Sequence, residues 1–452
     1  MQRLRWFSVV SLVVSLAVTP AFVGGGTAGA VTPGEQVVVT TAARTPDNFT
    51  PKTGVKFNNP LNKSRRKVLR HINRTVNSVP KREKIRILSW NIRSDAFVDA
   101  LIAAHRRGVS VRVLISLGNA NRENPNQGYN RLQRALREGN KKRPKSLRSF
   151  ARKCDRSCRG ERGIAHTKMY LFSRAGKARN VVMYSSANAT EVAVTRQWND
   201  IYTIANRAKP YGDFIEMFNE MKKDKPAKPP YRKFVGKKFT SEFLPWKGKK
   251  AKGDPTLNVL NKVRCKGATG GTGVNGRTHI RIAQTAILDK RGIRIAERLK
   301  QMWNRGCNIK IVYALMGNNV LKVVRRPGGR GPIPIRQIAQ DWQGDGVYDR
   351  YLHMKYMTIS GVYAGDSSTR LTVNGTANWS GLTMVSDEII GYVPGERMRR
   401  KHADWVDKLF GNPPPQRVSG RASSSSTTAP DGLPVPGADP LPVSVKHGGI
   451  EF

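Results

Sequence analysis

The chain has 452 residues and a formal net charge of +49, with 80 Lys and Arg against 31 Asp and Glu. This length is enough for two domain-sized cores or one large duplicated domain, which excludes a minimal single-core module. So large an excess of one sign predicts a polyanionic partner: nucleic acid, an anionic membrane surface or a cell-wall polymer. Solubility alone is the alternative, but such an excess costs stability through self-repulsion.

The first 30 residues are predicted to be an export signal. Arg3 and Arg5 give a basic start, residues 7–23 form an apolar run, and Ala28-Gly29-Ala30 is a small-x-small cleavage site. We predict cleavage after Ala30, which makes the mature protein secreted and soluble. No later segment of the sequence is apolar enough to span a bilayer.

A lead-in rich in Thr, Pro and Asn covers residues 31–63, and residues 64–221 form the first of two similar halves. Hydrophobic periodicity and capping residues predict alternating helices and strands in this half. In chain order they are a basic amphipathic helix over Lys67–Asn77, a strand over Ile85–Trp90, a helix over Ser94–Arg107 ended by Gly108, and a strand over Val109–Leu117. Residues 119–163 follow as a long basic segment outside the repeated pattern.

Residues 222–253 are predicted to be a Lys/Pro-rich linker, and residues 254–410 form the second half. The second half repeats the order of elements: a helix over Thr256–Val263, a strand over His279–Thr285, a helix over Ile293–Asn304 and a strand over Asn308–Ala314. This alternation predicts an α/β fold of two halves, each with a mixed or parallel sheet between helices, related by a pseudo-twofold axis. Residues 411–452 form a Pro/Ser-rich tail with the composition of a disordered segment.

Each half then carries the same arrangement, a His-x-Lys strand, a turn and a second strand that ends in Ser/Thr-Ala-Asn. The two copies comprise His166, Lys168, Ser186 and Asn188 in the first half, and His353, Lys355, Thr376 and Asn378 in the second. Residues i and i+2 of a strand share a face, so each copy presents an imidazole, an ammonium, a hydroxyl and an amide together. One copy alone would indicate a polar strand edge, whereas two copies favour a catalytic site.

These residue types suit attack on a phosphodiester. Imidazole is a nucleophile or general acid near neutral pH, and Lys, Asn, Ser and Thr are donors for phosphate oxygens. No carboxylate cluster or Cys/His spacing indicates a metal, so we predict metal-independent chemistry without a cofactor.

The doubled pattern resembles the phospholipase D superfamily, whose signature is His-x-Lys-x4-Asp followed by Gly-Ser-x-Asn. The family's aspartate is replaced by Ser173 in the first copy and by Ser360 in the second. The resemblance implies a phospholipase D-type fold in which His166 and His353 share one cleft.

The resemblance also implies a role for each site residue in a two-step displacement through a phosphohistidine. His166 would be the nucleophile and His353 the acid/base. Non-bridging oxygens would be held by Lys168, Lys355, Asn188 and Asn378. Further hydrogen bonds to the phosphate would come from Ser186 and Thr376, and the two histidines would be oriented by Asp200 and Glu388.

Four cysteines behind an export signal predict two disulfides, Cys154–Cys158 and Cys265–Cys307, one in each half. For the function, we expect a secreted, monomeric phospholipase D. The alternatives are a metal-independent nuclease and a non-catalytic polyanion-binding protein. Apolar loops at the cleft would favour a lipid, a basic groove across it would favour nucleic acid, and a displaced histidine would favour the binding protein.

Overall fold

The computed structural model describes residues 45–342 and 348–415, and all of these residues lie in one compact unit. The predicted export signal, its cleavage site after Ala30 and the predicted tail beyond residue 415 lie outside the described residues. No helix among the described residues is long and apolar enough to cross a bilayer.

The first half is built of short strands that alternate with helices. Its helices are α1 (Lys67–Asn77), α2 (Asp95–Arg106), α3 (Gln127–Glu138), α4 (Glu191–Thr195) and α5 (Ala208–Met221). Its strands are β1 (Gly54–Phe57), β2 (Lys84–Leu88), β3 (Ser110–Ser116), β4 (Phe150–Cys154), β5 (Met169–Ala175), β6 (Ala178–Ser185), β7 (Gln197–Trp198) and β8 (Asp200–Ile204).

The second half repeats this order with longer strands. Its helices are α6 (Pro255–Leu260), α7 (Asp289–Asn304), α8 (Asn318–Val324) and α9 (Glu396–Gly411). Its strands are β9 (Arg232–Phe234), β10 (Thr240–Phe243), β11 (Val263–Arg264), β12 (His279–Ile287), β13 (Asn308–Met316), β14 (Ile335–Gln337), β15 (Ala339–Gln340), β16 (Arg350–Leu352), β17 (Lys355–Tyr363), β18 (Asp366–Gly375) and β19 (Ile389–Pro394).

The two main sheets have matching topology. The first runs β1-β8-β6-β5-β2-β3-β4 and the second β9-β10-β19-β18-β17-β12-β13-β14. In both, three neighbouring strands are parallel, β2-β3-β4 and β12-β13-β14, and the neighbours toward the other edge are antiparallel. The predicted duplication into two α/β halves with mixed sheets is therefore confirmed.

Local sequence explains the matching helices. Helix α1 buries Val68, Leu69, Ile72 and Val76 on one face and leaves its basic residues on the other. Helices α2 and α7 both end two residues before a glycine with a positive φ, Gly108 at +98° and Gly306 at +96°. That conformation suits glycine, so the chain turns at the same point in each half into the next parallel strand.

Three segments differ from their prediction because tertiary pairing overrides their polar composition. The lead-in contains β1, which pairs with β8 at the edge of the first sheet. The predicted linker contains β9 and β10, and β10 pairs with β19 at the edge of the second. The segment 119–163 contains α3 and β4, and β4 extends the first sheet beside β3.

The halves are joined by reciprocal crossovers. Strand β7 of the first half pairs in parallel with β16 of the second, so that Trp198 lies beside Leu352. In the opposite direction, Ala165 forms a parallel bridge with Asp387. In each crossover one paired residue directly precedes a catalytic histidine: Leu352 precedes His353, and Ala165 precedes His166. The two halves therefore meet at the predicted site.

Both predicted disulfides form, Cys154–Cys158 and Cys265–Cys307. They close loops of very different length, with sequence separations of 4 and 42. A cross-link stabilises mainly by restricting the unfolded chain, and more so for longer loops.

Replacing both Cys265 and Cys307 by Ser is expected to lower the free energy of unfolding by roughly 2–4 kcal/mol. The matched variant with Cys154 and Cys158 replaced should lose less, because its loop is short. Denaturant unfolding of the two double variants measures the difference, and a larger loss from the Cys154/Cys158 variant would contradict the loop argument.

Candidate active site

The two His-x-Lys segments have the same local structure. His166 and Lys168 lie directly before β5, whereas His353 lies between β16 and β17 and Lys355 opens β17. Each lysine folds back, so that Lys168 Nζ donates to the carbonyl of His166 and Lys355 Nζ to that of His353, both at 2.8 Å. All four side chains are at most 3% exposed. The predicted strand thus begins after the histidine in both copies.

Each histidine is oriented by a residue of the other half. His166 Nδ1 lies 2.8 Å from Glu388 Oε1, and His353 Nδ1 lies 3.0 Å from Asn199 Oδ1. The backbone crossovers enforce this exchange, because Asp387 N donates to the carbonyl of Ile164 and His353 N donates to that of Trp198. The site therefore requires both halves and is shared between them.

The prediction that Asp200 orients a histidine is wrong, because Asn199 occupies that position. Asp200 opens β8 and points to the opposite face, where its Oδ2 lies 3.9 Å from His402 Nε2. Burial raises the pKa of Asp200 to about 6. Asn199 lies 13 residues after Ser186 and Glu388 lies 12 residues after Thr376, whereas the first carboxylate after Ser186 at a similar distance, Asp200, lies 14 residues away. The expectation of a carboxylate in both halves therefore selects the residue next to the true partner.

The amide of Asn199 has a fixed orientation. Its Nδ2 donates to the carbonyl of Ala193 and to Gln197 Oε1, at 3.1 and 3.2 Å. Its Oδ1 therefore faces His353 and can only accept, which places a proton on His353 Nδ1. The same argument gives His166 an Nδ1 proton when Glu388 is ionised.

The hydroxyls of Ser186 and Thr376 do not have the predicted phosphate-binding role. Ser186 Oγ donates to Asn199 Oδ1 at 2.8 Å, and Thr376 Oγ1 donates to Glu388 Oε2 at 2.5 Å. A hydroxyl has one proton to donate, so each is committed to the partner of a histidine. They act as matched positioning residues, one in each half.

Asn188 and Asn378 lie three residues beyond the ends of β6 and β18, and both are almost completely buried. Arg291 Nη1 donates to the carbonyls of Asn378 and Ser380, at 2.9 and 3.1 Å, and fixes the chain there. Their contact with phosphate oxygens stays a prediction, together with that of the two lysines.

The electrostatics of the site favour an anion. Burial lowers the pKa of His166, and the charges of Lys168 and Lys355 lower it further. Burial raises the pKa of Glu388 to about 8, against the opposing effect of the same two lysines and of Thr376. Both lysines thus lower the pKa of the same imidazole and the same carboxyl group. Two ammonium groups beside one carboxylate give the site a net positive charge, which favours a phosphodiester.

Two aromatic side chains that the sequence did not single out stand beside the histidines. The Trp90 ring lies 6.0 Å from His166 and 5.8 Å from Lys168 Nζ. The Tyr351 ring lies 6.0 Å from His353, and its hydroxyl accepts from Gln197 Nε2 at 2.7 Å. Tyr351 stands at i−2 from His353, a spacing that could have identified it.

The two serines that replace the family's aspartates are remote from the histidines. Ser173 lies five residues beyond Lys168 along β5, about 16 Å at 3.3 Å per residue. Its Oγ accepts from Lys84 N at 2.8 Å, and Ser360 Oγ accepts from Gly273 N at 3.1 Å. Both serines therefore hold neighbouring backbone N–H groups and leave the imidazole contacts untouched.

Replacing Ser173 by Ala removes the hydrogen bonds of its hydroxyl with Lys84 N and Glu83 Oε2. It is expected to cost about 1–2 kcal/mol of unfolding free energy and to leave activity unchanged. Thermal unfolding and a turnover assay on the same preparation test this. A loss of turnover without a loss of stability would place Ser173 in the site after all.

Comparison with known proteins finds a matching family model and solved structures of similar fold. The family model described as "Cardiolipin synthase, PLD-like domain" matches residues 73–222. Polyphosphate kinase from Porphyromonas gingivalis superposes with a TM-score of 0.52 at 14% identity over 79% of this chain and 50% of its own. Phosphatidylserine synthase from Haemophilus influenzae Rd KW20 gives 0.52 at 10% identity over 79% and 86%. No curated protein sequence matches the chain.

The resemblance to the phospholipase D superfamily is confirmed by these matches. The first half carries a phospholipase D-like domain, and the fold is of the phospholipase D type. The chain spans about half the length of the polyphosphate kinase. At such identities the solved structures establish the fold, whereas the reaction has to be argued from the site.

Proposed function

We propose that this protein is a secreted phospholipase D-type phosphodiesterase that hydrolyses or transfers phospholipid headgroups through a phosphohistidine. The observation that carries the proposal is the reciprocal pair of buried histidines, each oriented through Nδ1 by the other half. This arrangement directs both Nε2 atoms away from their partners, as a nucleophile and an acid require.

His166 is the nucleophile in this proposal because its partner is a carboxylate. Its Nε2 is buried and makes no hydrogen bond within the described residues. When Nε2 forms a bond to phosphorus, the ring becomes cationic, and the Glu388 carboxylate at Nδ1 stabilises that cation. Asn199 is neutral and offers His353 no such stabilisation.

His353 is the acid/base, since an imidazolium held by an amide gives up its proton more readily than one held by a carboxylate. In the first step the N–P bond forms, the P–O bond to the headgroup alcohol breaks, and His353 Nε2 protonates the leaving oxygen. In the second step, His353 Nε2 takes a proton from water, the water oxygen attacks phosphorus, and the N–P bond breaks. A second alcohol in place of water gives headgroup transfer.

A phospholipid substrate is supported by apolar groups beside the histidine segment. Leu382 and Val385 are 42% and 36% exposed on one short turn, and Ile164 N donates to Ser386 Oγ at its end. Next to it lies a cavity of about 540 Å³ whose lining combines four prolines, Trp246, Met384 and Val385 with charged residues that include Arg162, Lys228 and Lys247. Exposed apolar side chains next to a recess suit contact with acyl chains.

A metal-independent nuclease is the second candidate. It is favoured by the net charge of +49. The non-catalytic alternative is disfavoured, because both histidines keep their Nδ1 partners and neither is displaced.

The deciding experiment gives purified full-length protein, in EDTA, either phospholipid vesicles or plasmid DNA. His166→Ala removes the nucleophile, and His279→Ala is the matched control because His279 begins β12 away from the site. Headgroup release by wild type and the control, but not by His166→Ala, supports the proposal. Cleavage of DNA alone favours the nuclease, and turnover of neither substrate overturns both.

A further inference from the structure

We propose that the first half carries a second binding site, a cationic groove that holds a single strand of nucleic acid by its phosphodiester backbone. The groove has a volume of about 980 Å³ and is formed by β3, β4, α3 and the chain after α5. Its cations include Arg112, Arg148, Arg152, Lys222, Lys223 and Lys225, and no acidic side chain lines it within the described residues.

The positive charge of this groove is not compensated locally. The nearby carboxylate of Asp224 is turned away and accepts from Asp155 N at 3.3 Å. Burial lowers the pKa of Lys222, and Arg112, Arg86 and Lys223 lower it further by repulsion. Placing cations this close together destabilises the fold, and a bound polyanion relieves the repulsion.

The groove is separate from the histidine site. Phe150 pairs with Arg112 near the start of β3, whereas Ser116 at its end hydrogen-bonds to the carbonyl of Trp90. Four residues of strand, about 13 Å, therefore lie between Arg112 and the end of the sheet that carries the histidines. A ligand in the groove binds outside the phosphodiesterase site.

The polar groups of the groove favour backbone contact over base reading. Gln133 Nε2 donates to the carbonyl of Ala151, and the Asn140 amide bonds both N–H and carbonyl of Ser149. Both amides are thus used internally, which leaves cations as the groups that face a ligand. Phosphates contacted in this way fix a strand without regard to its sequence.

An aromatic ring holds two of the cations in place. The guanidinium groups of Arg152 and Arg112 lie 4.4 and 5.5 Å from the centre of the Phe150 ring. A guanidinium stacked in this way is preorganised and offers a flat cationic surface for any base. The groove is concave, which suits a single polymer strand better than the plane of a bilayer.

The test measures binding of a fluorescent 20-nucleotide oligo(dT) to full-length protein by anisotropy, in EDTA, between about 50 and 200 mM salt. The groove variant carries Arg148→Gln, Arg152→Gln and Lys223→Gln, all exposed side chains. The control variant carries Arg397→Gln, Arg400→Gln and Lys401→Gln on the exposed face of α9, which removes the same charge.

The groove variant is expected to lose at least tenfold more affinity than the control, and its salt slope should fall by about 2, at 0.7 per phosphate contact. Its circular dichroism and activity on vesicles should match wild type, so the outcome is independent of the proposed phosphodiesterase. Equal losses of affinity in both variants would show that the oligonucleotide responds to general surface charge, and would overturn the proposal of a binding groove. Loss of polyphosphate or vesicle binding in place of oligonucleotide binding would also overturn the proposal.

Discussion

His166→Ala is expected to lower turnover by at least roughly 10⁴-fold and to leave no covalent intermediate, whereas His353→Ala should accumulate one. The difference follows from the partners on Nδ1. Glu388 at 2.8 Å stabilises the cation that forms when His166 binds phosphorus, and His353 is needed to activate water for its release. Without His353, a substrate with a good leaving group can still form the intermediate but cannot hydrolyse it.

The measurement is an acid-free quench of enzyme mixed with substrate labelled at phosphorus, followed by counting of protein-bound label. A phosphohistidine is lost in acid and kept in alkali, which distinguishes it from a phosphoester of Ser or Thr. Label on His353 in the His166→Ala variant, with none on His166 in the reciprocal one, would reverse the assignment. His279→Ala again serves as the control.

Much of the fold could be predicted because the same pattern of residues occurs in both halves of the sequence. Two His-x-Lys segments, each followed by a hydrophobic strand pair, fix the antiparallel core of both sheets. Gly108 and Gly306, which follow α2 and α7, mark the end of the helix in the β-α-β unit of each half. The segments that were missed, β1, β4, β9 and β10, are short strands at a sheet edge or next to one. Their pairing depends on a partner that periodicity cannot identify.

Most residues of the active site could be predicted from the sequence, whereas their hydrogen-bond partners could not. Both histidines and both lysines lie close together, since the charges of Lys168, Lys355 and His353 all act on His166. The exchange of partners between halves comes from the crossovers at Ala165 and Trp198, which no local pattern reveals. The hydroxyls of Ser186 and Thr376 were misassigned because each donates to the residue that orients a histidine, a contact that spacing along a strand does not show.

Glu388→Gln is expected to lower turnover by roughly 10²- to 10⁴-fold, the range seen when a carboxylate that supports a catalytic histidine is neutralised. The amide keeps the shape of the side chain and can still meet Thr376, so the fold should stay intact. What is lost is the negative charge that stabilises the phosphorylated imidazole. Asn199→Asp is the matched reciprocal change, because it gives His353 the carboxylate that only His166 has.

The pH dependence separates this electrostatic role from a structural one. Burial raises the pKa of Glu388 to about 8, so the carboxyl is protonated below that pH and ionised above it. Wild-type kcat/KM should therefore rise with pH as Glu388 ionises, and it should fall again at alkaline pH where the His353 imidazolium loses its proton. The rise should vanish in Glu388→Gln, which has no proton to lose. Asn199→Asp should stabilise the His353 imidazolium and move the alkaline fall in activity to higher pH. A Glu388→Gln profile that retains the wild-type rise, at near wild-type turnover, would remove Glu388 from the mechanism.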